Sequence, residues 1–189
     1  MSVSRETSLA GQYFDILRKW NERINLMGTT IDRQLEERAL DEAALLARNV
    51  RSDRCADLGS GNGLPAIPLA LARRDLDLTL IESDHRKAAF LNAVRRELRL
   101  ANVTVLAERI ERIPPLRIAA LTARAFAPLA AICRLAIPHL APGGRLYLLK
   151  GRRADAEIAE ARRAVSFDLR KTPIGEGWLL ELSELGPRR

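Results

Sequence analysis

The sequence predicts an α/β protein built on a mostly parallel sheet, and three observations lead to this fold class. From residue 54 to residue 163, short apolar runs alternate with longer amphipathic runs, which is the pattern of parallel strands joined by right-handed helical crossovers. The first apolar run leads through a glycine-rich turn into a helix-like run. Near the end, two strand-like runs flank the turn Pro173-Ile174-Gly175-Glu176, which predicts an antiparallel hairpin closing the sheet.

Two amphipathic helices are predicted ahead of this alternation, because apolar residues recur there at three- and four-residue steps. We therefore expect residues 1–50 to form a helical extension that packs on a core of residues 51–189. The length is that of one domain, so the two parts are expected to make a single compact unit.

The alternation also sets the expected bounds of each element. The helices are predicted near 6–26, 32–48, 64–73, 85–99, 128–139 and 154–163. The seven strands are predicted near 54–58, 78–82, 103–107, 118–124, 144–149, 166–172 and 177–182.

The glycine-rich turn after the first strand carries Gly59, Gly61 and Gly63, with Leu64 at the next position. Glycine tolerates positive φ and lets a backbone approach a ligand closely. The spacing is G-x-G-x-G, which misses the dinucleotide fingerprint G-x-G-x-x-G. It resembles the cofactor loop of Rossmann-like methyltransferases that use S-adenosylmethionine. A plain tight turn between strand and helix is the alternative interpretation.

A carboxylate at the end of the second strand supports a nucleoside ligand. Glu82 follows the glycine turn by about twenty residues, which is the spacing expected for a residue that accepts hydrogen bonds from ribose hydroxyls. Without the glycine turn, the alternative interpretation would be that Glu82 is a solvent-exposed acid at the end of a strand. The two features together predict a nucleoside-containing cofactor.

Composition narrows the choice of partner and compartment. The net charge of +7 and a pI of about 10.2 favour a polyanionic partner, although a solvated basic surface would give the same numbers. The aromatic content of 4% argues against a platform on which bases stack. Neither a signal-like start nor an apolar run of roughly 20 residues occurs, so we expect a cytoplasmic protein with no membrane contact. Cys55 and Cys133 fit neither a metal site nor a disulfide framework, and both are expected to be reduced packing residues.

Several short motifs follow one another in the order of a single family. They are Lys19-Trp20-Asn21, Ile24-Asn25-Leu26, the run from Asp57 to Pro65, Ile67-Pro68-Leu69, Leu80-Ile81-Glu82-Ser83, Arg86-Lys87, Phe90-Leu91, Glu108-Arg109-Ile110-Glu111, Arg124-Ala125-Phe126-Ala127-Pro128-Leu129 and Leu149-Lys150-Gly151. With them the chain resembles the RsmG family, formerly GidB (glucose-inhibited division protein B), of bacterial 16S rRNA guanine-N7 methyltransferases. The resemblance covers about residues 12–183 and implies a Rossmann-like class I methyltransferase fold with S-adenosylmethionine as the cofactor.

The resemblance also implies a substrate and a set of partners. The substrate would be N7 of one guanine in the 530 loop of 16S rRNA, presented by the small ribosomal subunit or its precursor. The enzyme would act as a monomer, without a metal. Methyl transfer to this atom needs alignment more than a base, because N7 has a free lone pair and no proton.

Roles for individual residues follow from the resemblance as well. Gly59 and Leu64 would border the cofactor, Gly61 and Gly63 would shape the loop, and Glu82 would hold the ribose. Ile110 and Glu111 would lie on the adenine side, and Arg124 would lie near the methionine end or the incoming base, acting by positioning. Arg86, Arg109 and Lys150 would contact the RNA, with salt bridges as the alternative role for each.

The chain departs from the family pattern in its second helix. A His-Ile-Leu-Asp-Ser-like segment is usual there, and this sequence has Arg38-Ala39-Leu40-Asp41-Glu42. Any contact that the missing His and Ser make must therefore differ here. At position 82 the family commonly has Asp, whereas this sequence has Glu82, which has a longer side chain with the same charge.

Other functions remain open from the sequence alone. A methyltransferase of the same fold could act on another RNA, a protein or a small molecule. An RNA chaperone that binds a nucleotide without catalysis, and an NAD-binding protein, are the remaining alternatives. The tetrapeptide Asn/Asp-Pro-Pro-aromatic that is common in amino-group methylation is replaced by Arg124-Ala125-Phe126-Ala127, and neither cysteine is placed as a nucleophile for cytosine C5.

Overall fold

The computed structural model describes residues 8–124 and 127–188. Within these residues the helices are α1 (Leu9–Ile24), α2 (Arg33–Asn49), α3 (Ala66–Ala72), α4 (His85–Glu97), α5 (Leu129–Ala136) and α6 (Ala154–Ala161). The strands are β1 (Arg54–Leu58), β2 (Asp77–Ile81), β3 (Val103–Leu106), β4 (Ile118–Arg124), β5 (Leu140–Lys150), β6 (Val165–Ile174) and β7 (Gly177–Pro187).

The strands form one sheet in the order β3-β2-β1-β4-β5-β7-β6 across the described residues. The first five strands pair in parallel, and β7 pairs antiparallel with both β5 and β6. The predicted fold class, with its mostly parallel sheet and C-terminal hairpin, is confirmed. Strand order reverses between β1 and β4, and such a switch point is where open α/β sheets bind ligands.

Both faces of the sheet are covered, as a parallel sheet requires. One buried cluster joins α1, α2, α3 and α4 to the sheet, with Tyr13, Leu46, Ile67 and Phe90 among its members. The other joins α5 and α6 to the opposite face. Because α1 and α2 share a continuous core with α3, the two N-terminal helices stand directly behind the glycine turn.

Local signals explain several of the element boundaries. The Asp32 side chain accepts a hydrogen bond from the Leu35 amide and caps α2, and Asp84 caps α4 through the amides of Arg86 and Lys87. The helix expected at 64–73 begins two residues late, at Ala66, because the glycine turn extends through Leu64 and Pro65 takes the capping position. No helix in the described ranges is long and apolar enough to cross a membrane.

Candidate active site

Two cavities open along the carboxyl edge of the sheet. The smaller has a volume of about 380 Å³ and is lined by Gly59, Gly61, Ile81, Glu82, Ser83, Lys87, Glu108, Arg109, Ile110 and Glu111. The larger has a volume of about 890 Å³ and is lined by Arg38, Glu42, Arg124, Ala127, Pro128, Leu149, Lys150, Gly151, Arg152, Arg153, Glu157, Glu160, Ile174, Glu176, Gly177 and Trp178. The first cavity lies over β1, β2 and β3, and the second lies over β4, β5 and the hairpin.

The glycine turn is fixed to the neighbouring strand by its own backbone. The amides of Gly59 and Ser60 both donate to the carbonyl of Ile81, at 2.9 Å and 3.1 Å. Gly59, Gly61 and Gly63 all have positive φ, at 67°, 52° and 81°. A Cβ on Gly63 would lie 2.8 Å from Ile67 Cγ1, so this position demands glycine for space as well as for conformation.

Glu82 lies directly against the glycine turn and lines the smaller cavity with it. Its carboxylate accepts a 2.7 Å hydrogen bond from the Gly61 amide on Oε2 and a 2.8 Å hydrogen bond from the Asp84 amide on Oε1. Only 7% of the residue is exposed, so the two amides hold the carboxylate in one orientation. A carboxylate oxygen can accept more than one hydrogen bond, and Glu82 therefore retains acceptor capacity toward the cavity.

The opposite wall of this cavity comes from the turn after β3. Ile110 is 4% exposed and starts a short 3-10 turn, while Arg109 and Glu111 on either side are exposed. An apolar side chain thus lies between two charged ones at the end of a parallel strand. A wall with an apolar side chain and polar groups at its margins suits a heteroaromatic ring.

Arg124 is the last residue of β4 and lines the larger cavity. Its side chain is 21% exposed, and its Nε lies 3.2 Å from Oε2 of Glu42 on α2. The register of β1 and β4 pairs Leu58 with Ala123, so Arg124, at the end of β4, lies beside the start of the glycine turn. Arg124 therefore lines the larger cavity from the strand next to the one that carries the glycine turn.

Asp57 is a buried acid near the end of β1, below the glycine turn. The sequence motifs did not predict a role for it in the site. It is 2% exposed, and Thr122 Oγ1 donates a 2.6 Å hydrogen bond to its Oδ1. The pKa of Asp57 is raised to about 6, chiefly by burial; hydrogen bonds from Thr122 and Ser60 lower it, the charge of Glu82 raises it and the charge of Arg124 lowers it. The β1–β4 junction thus holds a carboxyl that titrates near neutral pH.

Comparison with known proteins identifies the family. The family model described as rRNA small subunit methyltransferase G matches residues 6–174. The chain belongs to this family. A ribosomal RNA small subunit methyltransferase G from Paracoccus denitrificans is 44% identical over 173 residues, covering 90% of this chain and 89% of that protein.

Solved structures share the fold at low sequence identity. A methyltransferase from Geobacter sulfurreducens has a TM-score of 0.67 and 18% identity, covering 91% of this chain and 90% of that one. A SAM-dependent methyltransferase from Aquifex aeolicus has a TM-score of 0.63 and 12% identity, covering 91% and 97% of the two chains. The prediction of a Rossmann-like methyltransferase fold is thereby confirmed, and S-adenosylmethionine is the expected cofactor.

The residues present fit that cofactor. A Cβ built on Gly61 would be in van der Waals contact with the Gly59 carbonyl oxygen at 3.7 Å and with Glu82 Oε2 at 3.9 Å, so a side chain there would occupy the cavity beside the carboxylate. The absence of a side chain there leaves a cradle beside an anchored acceptor. The volume of about 380 Å³ lies within the range of small-ligand pockets, roughly 300–1,000 Å³.

The structure separates the residues expected at the cofactor into three groups. Gly59, Gly61, Glu82, Ile110 and Glu111 line the smaller cavity together. Arg124, also expected at the cofactor, lines only the larger cavity. Gly63 and Leu64 lie outside the lining of both cavities, and Leu64 is 4% exposed within the core next to α1. These two support the turn from beneath.

The residues expected to contact RNA also differ in their surroundings. Arg86 is exposed in the first turn of α4, with its Nη2 only 3.6 Å from Asp84 Oδ2, and lies outside the lining of both cavities. Arg109 is exposed at the mouth of the smaller cavity. Both remain available to a phosphate, and their role stays a prediction.

Lys150 has a different environment from these two arginines. Its side chain is 7% exposed, and its Nζ donates to the Ala127 carbonyl at 3.0 Å and to Glu157 Oε2 at 2.8 Å. The same Glu157 oxygen accepts the Leu129 amide at 3.1 Å. Lys150 thus braces the segment that follows Arg124, which favours the salt-bridge alternative over contact with RNA.

Proposed function

We propose that this protein transfers a methyl group from S-adenosylmethionine to N7 of a guanine in the 530 loop of 16S rRNA. The observation that carries the proposal is the arrangement along one edge of the sheet in a member of the rRNA small subunit methyltransferase G family. A glycine turn with an anchored Glu82 lines one cavity, and Arg124, on the neighbouring strand, lines a second cavity with exposed arginines on its rim.

The chemistry requires alignment of two reactants. When bound, S-adenosylmethionine supplies an activated methyl group, whose bond to sulfur breaks as a bond to N7 forms. Guanine N7 carries a lone pair and no proton, so the chain has no proton to remove. Correct placement of two reactants can lower a barrier by roughly 7–11 kcal/mol. Arg124, which lines the larger cavity beside the strand of the glycine turn, is the side chain that we propose to orient the base.

The surroundings of the two cysteines argue against methylation at cytosine C5. That reaction needs a thiolate in an accessible, electropositive site. Cys55 and Cys133 are both fully buried. Burial raises the pKa of Cys133 to about 11 and raises the pKa of Cys55 further still. Both residues are therefore protonated packing side chains at neutral pH.

The exposed arginines on the rim of the larger cavity suit an RNA substrate, although four glutamates also line this cavity and Glu176 pairs with Arg152. Arg38, Arg152 and Arg153 are exposed on its rim. Arginine side chains at such positions bind phosphate oxygens and set the orientation of the RNA, whereas contact with the base sets the nucleotide chosen. We propose that the RNA backbone lies over this rim and that the target guanine enters toward Arg124.

Label transfer tests this function. Purified protein is incubated with S-adenosylmethionine carrying a labelled methyl group and with small ribosomal subunits or 16S rRNA, with unrelated tRNA as the control. The RNA is then digested to nucleosides and separated by mass. We expect the label in 7-methylguanosine from the ribosomal substrates alone. Label in another nucleoside, or none in ribosomal RNA, would overturn the proposal.

A further inference from the structure

Glu42 on α2 is a buried acid whose carboxylate lacks a well-formed hydrogen bond. The residue is 8% exposed, and its Oε2 is enclosed without a well-formed hydrogen bond from any described residue. The nearest charged partner is Arg124, whose Nε lies 3.2 Å from this oxygen. Burial raises the pKa of Glu42, and the positive charges of Arg124 and Arg38 oppose that rise, which makes Arg124 the charged group in contact with this buried carboxyl.

The contact uses one part of the Arg124 side chain and leaves the rest available. A guanidinium carries five N–H donors in a fixed fork. Among the described residues, no hydrogen bond is made by the two terminal nitrogens of Arg124, and the side chain lines the larger cavity. The ion pair at Nε restrains one edge of this rigid group and leaves the two terminal nitrogens on the other edge.

We propose that Glu42 is the positioning residue for Arg124. Its carboxylate holds the Nε side of the guanidinium against α2, so that the terminal nitrogens serve the substrate base in the larger cavity. This proposal rests on the proposed methylation of rRNA for its effect on rate, whereas the contact itself can be tested without any substrate.

A double-mutant cycle measures whether Glu42 acts through Arg124. The variants are Glu42→Gln, which keeps the shape and removes the charge, Arg124→Lys, which lacks Nε, and the two combined. Single-turnover methylation of small ribosomal subunits is measured at saturating enzyme. We expect Glu42→Gln to slow transfer about tenfold alone and to have no further effect in the Arg124→Lys background, because coupled residues are not additive.

A second carboxylate on the same helix provides a matched control. Glu36 is 6% exposed on α2 and pairs with Arg18 of α1. We expect Glu36→Gln to lower thermal stability while the single-turnover rate stays that of the wild type. A purely structural role for Glu42 would instead give the same result as Glu36→Gln.

An NMR measurement tests the contact in the free protein. The Nε–Hε signal of Arg124 is assigned by its loss in Arg124→Lys. We expect Glu42→Gln to shift this signal and to speed its exchange with water, and Glu36→Gln to leave it unchanged. An unshifted signal in Glu42→Gln, or additive losses of rate in the cycle, would overturn the positioning role. If the wild type fails to methylate rRNA, the proposed function fails and the NMR result alone decides this proposal.

Discussion

The hydroxyl of Tyr13 donates a 2.7 Å hydrogen bond to the backbone carbonyl of Asn62, and this bond ties α1 to the glycine turn. Tyr13 is fully buried, and burial raises the pKa of its hydroxyl, so the group stays protonated and remains a donor. The oxygen also lies 3.3 Å from the position that a Cβ on Gly63 would take. The first helix is therefore part of the support of the cofactor loop.

Replacing Tyr13 by Phe removes this hydrogen bond and keeps the aromatic ring in place. We expect the unfolding free energy to fall by about 1 kcal/mol and the affinity for S-adenosylmethionine to fall severalfold, since a buried hydrogen bond is worth roughly that amount. Tyr147→Phe is the matched control, because the Tyr147 hydroxyl donates to the Asn49 carbonyl at 3.1 Å away from the turn. Calorimetric titration with unchanged affinity in Tyr13→Phe would contradict the account.

Alanine substitutions at Gly63 and Gly143 distinguish the free-energy cost of a steric clash from the cost of a strained backbone conformation. Both have positive φ, at 81° and 71°, but a Cβ has free space only at Gly143. We expect Gly143→Ala to cost about 1 kcal/mol from strain and Gly63→Ala about 3 kcal/mol, because overpacking adds to the strain. Urea denaturation of the two variants measures the difference. Equal losses would mean that the turn can open around a methyl group.

The stability of the protein is expected to depend on the charge of Asp57. Its pKa is raised from 3.8 to about 6 in the folded state, so the protonated form is favoured by folding. Its stabilising contribution is complete below about pH 4, is lost as the pH rises to about 6, and amounts to about 3 kcal/mol at most. We expect Asp57→Asn to lack this dependence. Parallel stability curves for the two proteins over that pH window would show that Asp57 ionises normally.

Lys150 distinguishes a structural brace from a contact with RNA. If its bonds to Ala127 and Glu157 are its main role, Lys150→Met should lower the unfolding free energy by about 2 kcal/mol, because Glu157 is only partly exposed and loses its partner. The exposed Arg109 is the control, and Arg109→Ala should leave stability unchanged. A Lys150→Met protein of normal stability that binds RNA more weakly, with a salt dependence reduced by about one phosphate contact, would restore the RNA role.

Much of the fold could be predicted from the sequence because its signals are local and repeated. The alternation of apolar runs predicted the parallel strands, and the turn before Gly177 predicted the hairpin. The positions of Gly59, Glu82 and Ile110 at one edge follow from the rule that parallel strands end together. Each of these inferences depends only on the spacing of residues along the chain, and none requires knowing which side chains contact each other.

The contacts that cross between distant segments could not be predicted. Tyr13 looked like one more apolar position on a helix face, and its hydroxyl bond to Asn62 joins residues far apart in sequence. Lys150 looked like an exposed cation, because nothing in the sequence shows that Glu157 faces it. Glu42 lies in the segment that departs from the family pattern, so the motifs gave no indication of its pairing with Arg124.

The central claim is methylation of guanine N7 in the 530 loop, and chain cleavage tests it most directly. A methyl group on N7 makes RNA cleavable by mild reduction and aniline, and primer extension then locates the break. We predict that 16S rRNA from cells lacking this gene loses a single break in the 530 loop, and that the purified protein with S-adenosylmethionine restores it. An identical cleavage pattern with and without the gene would contradict the account.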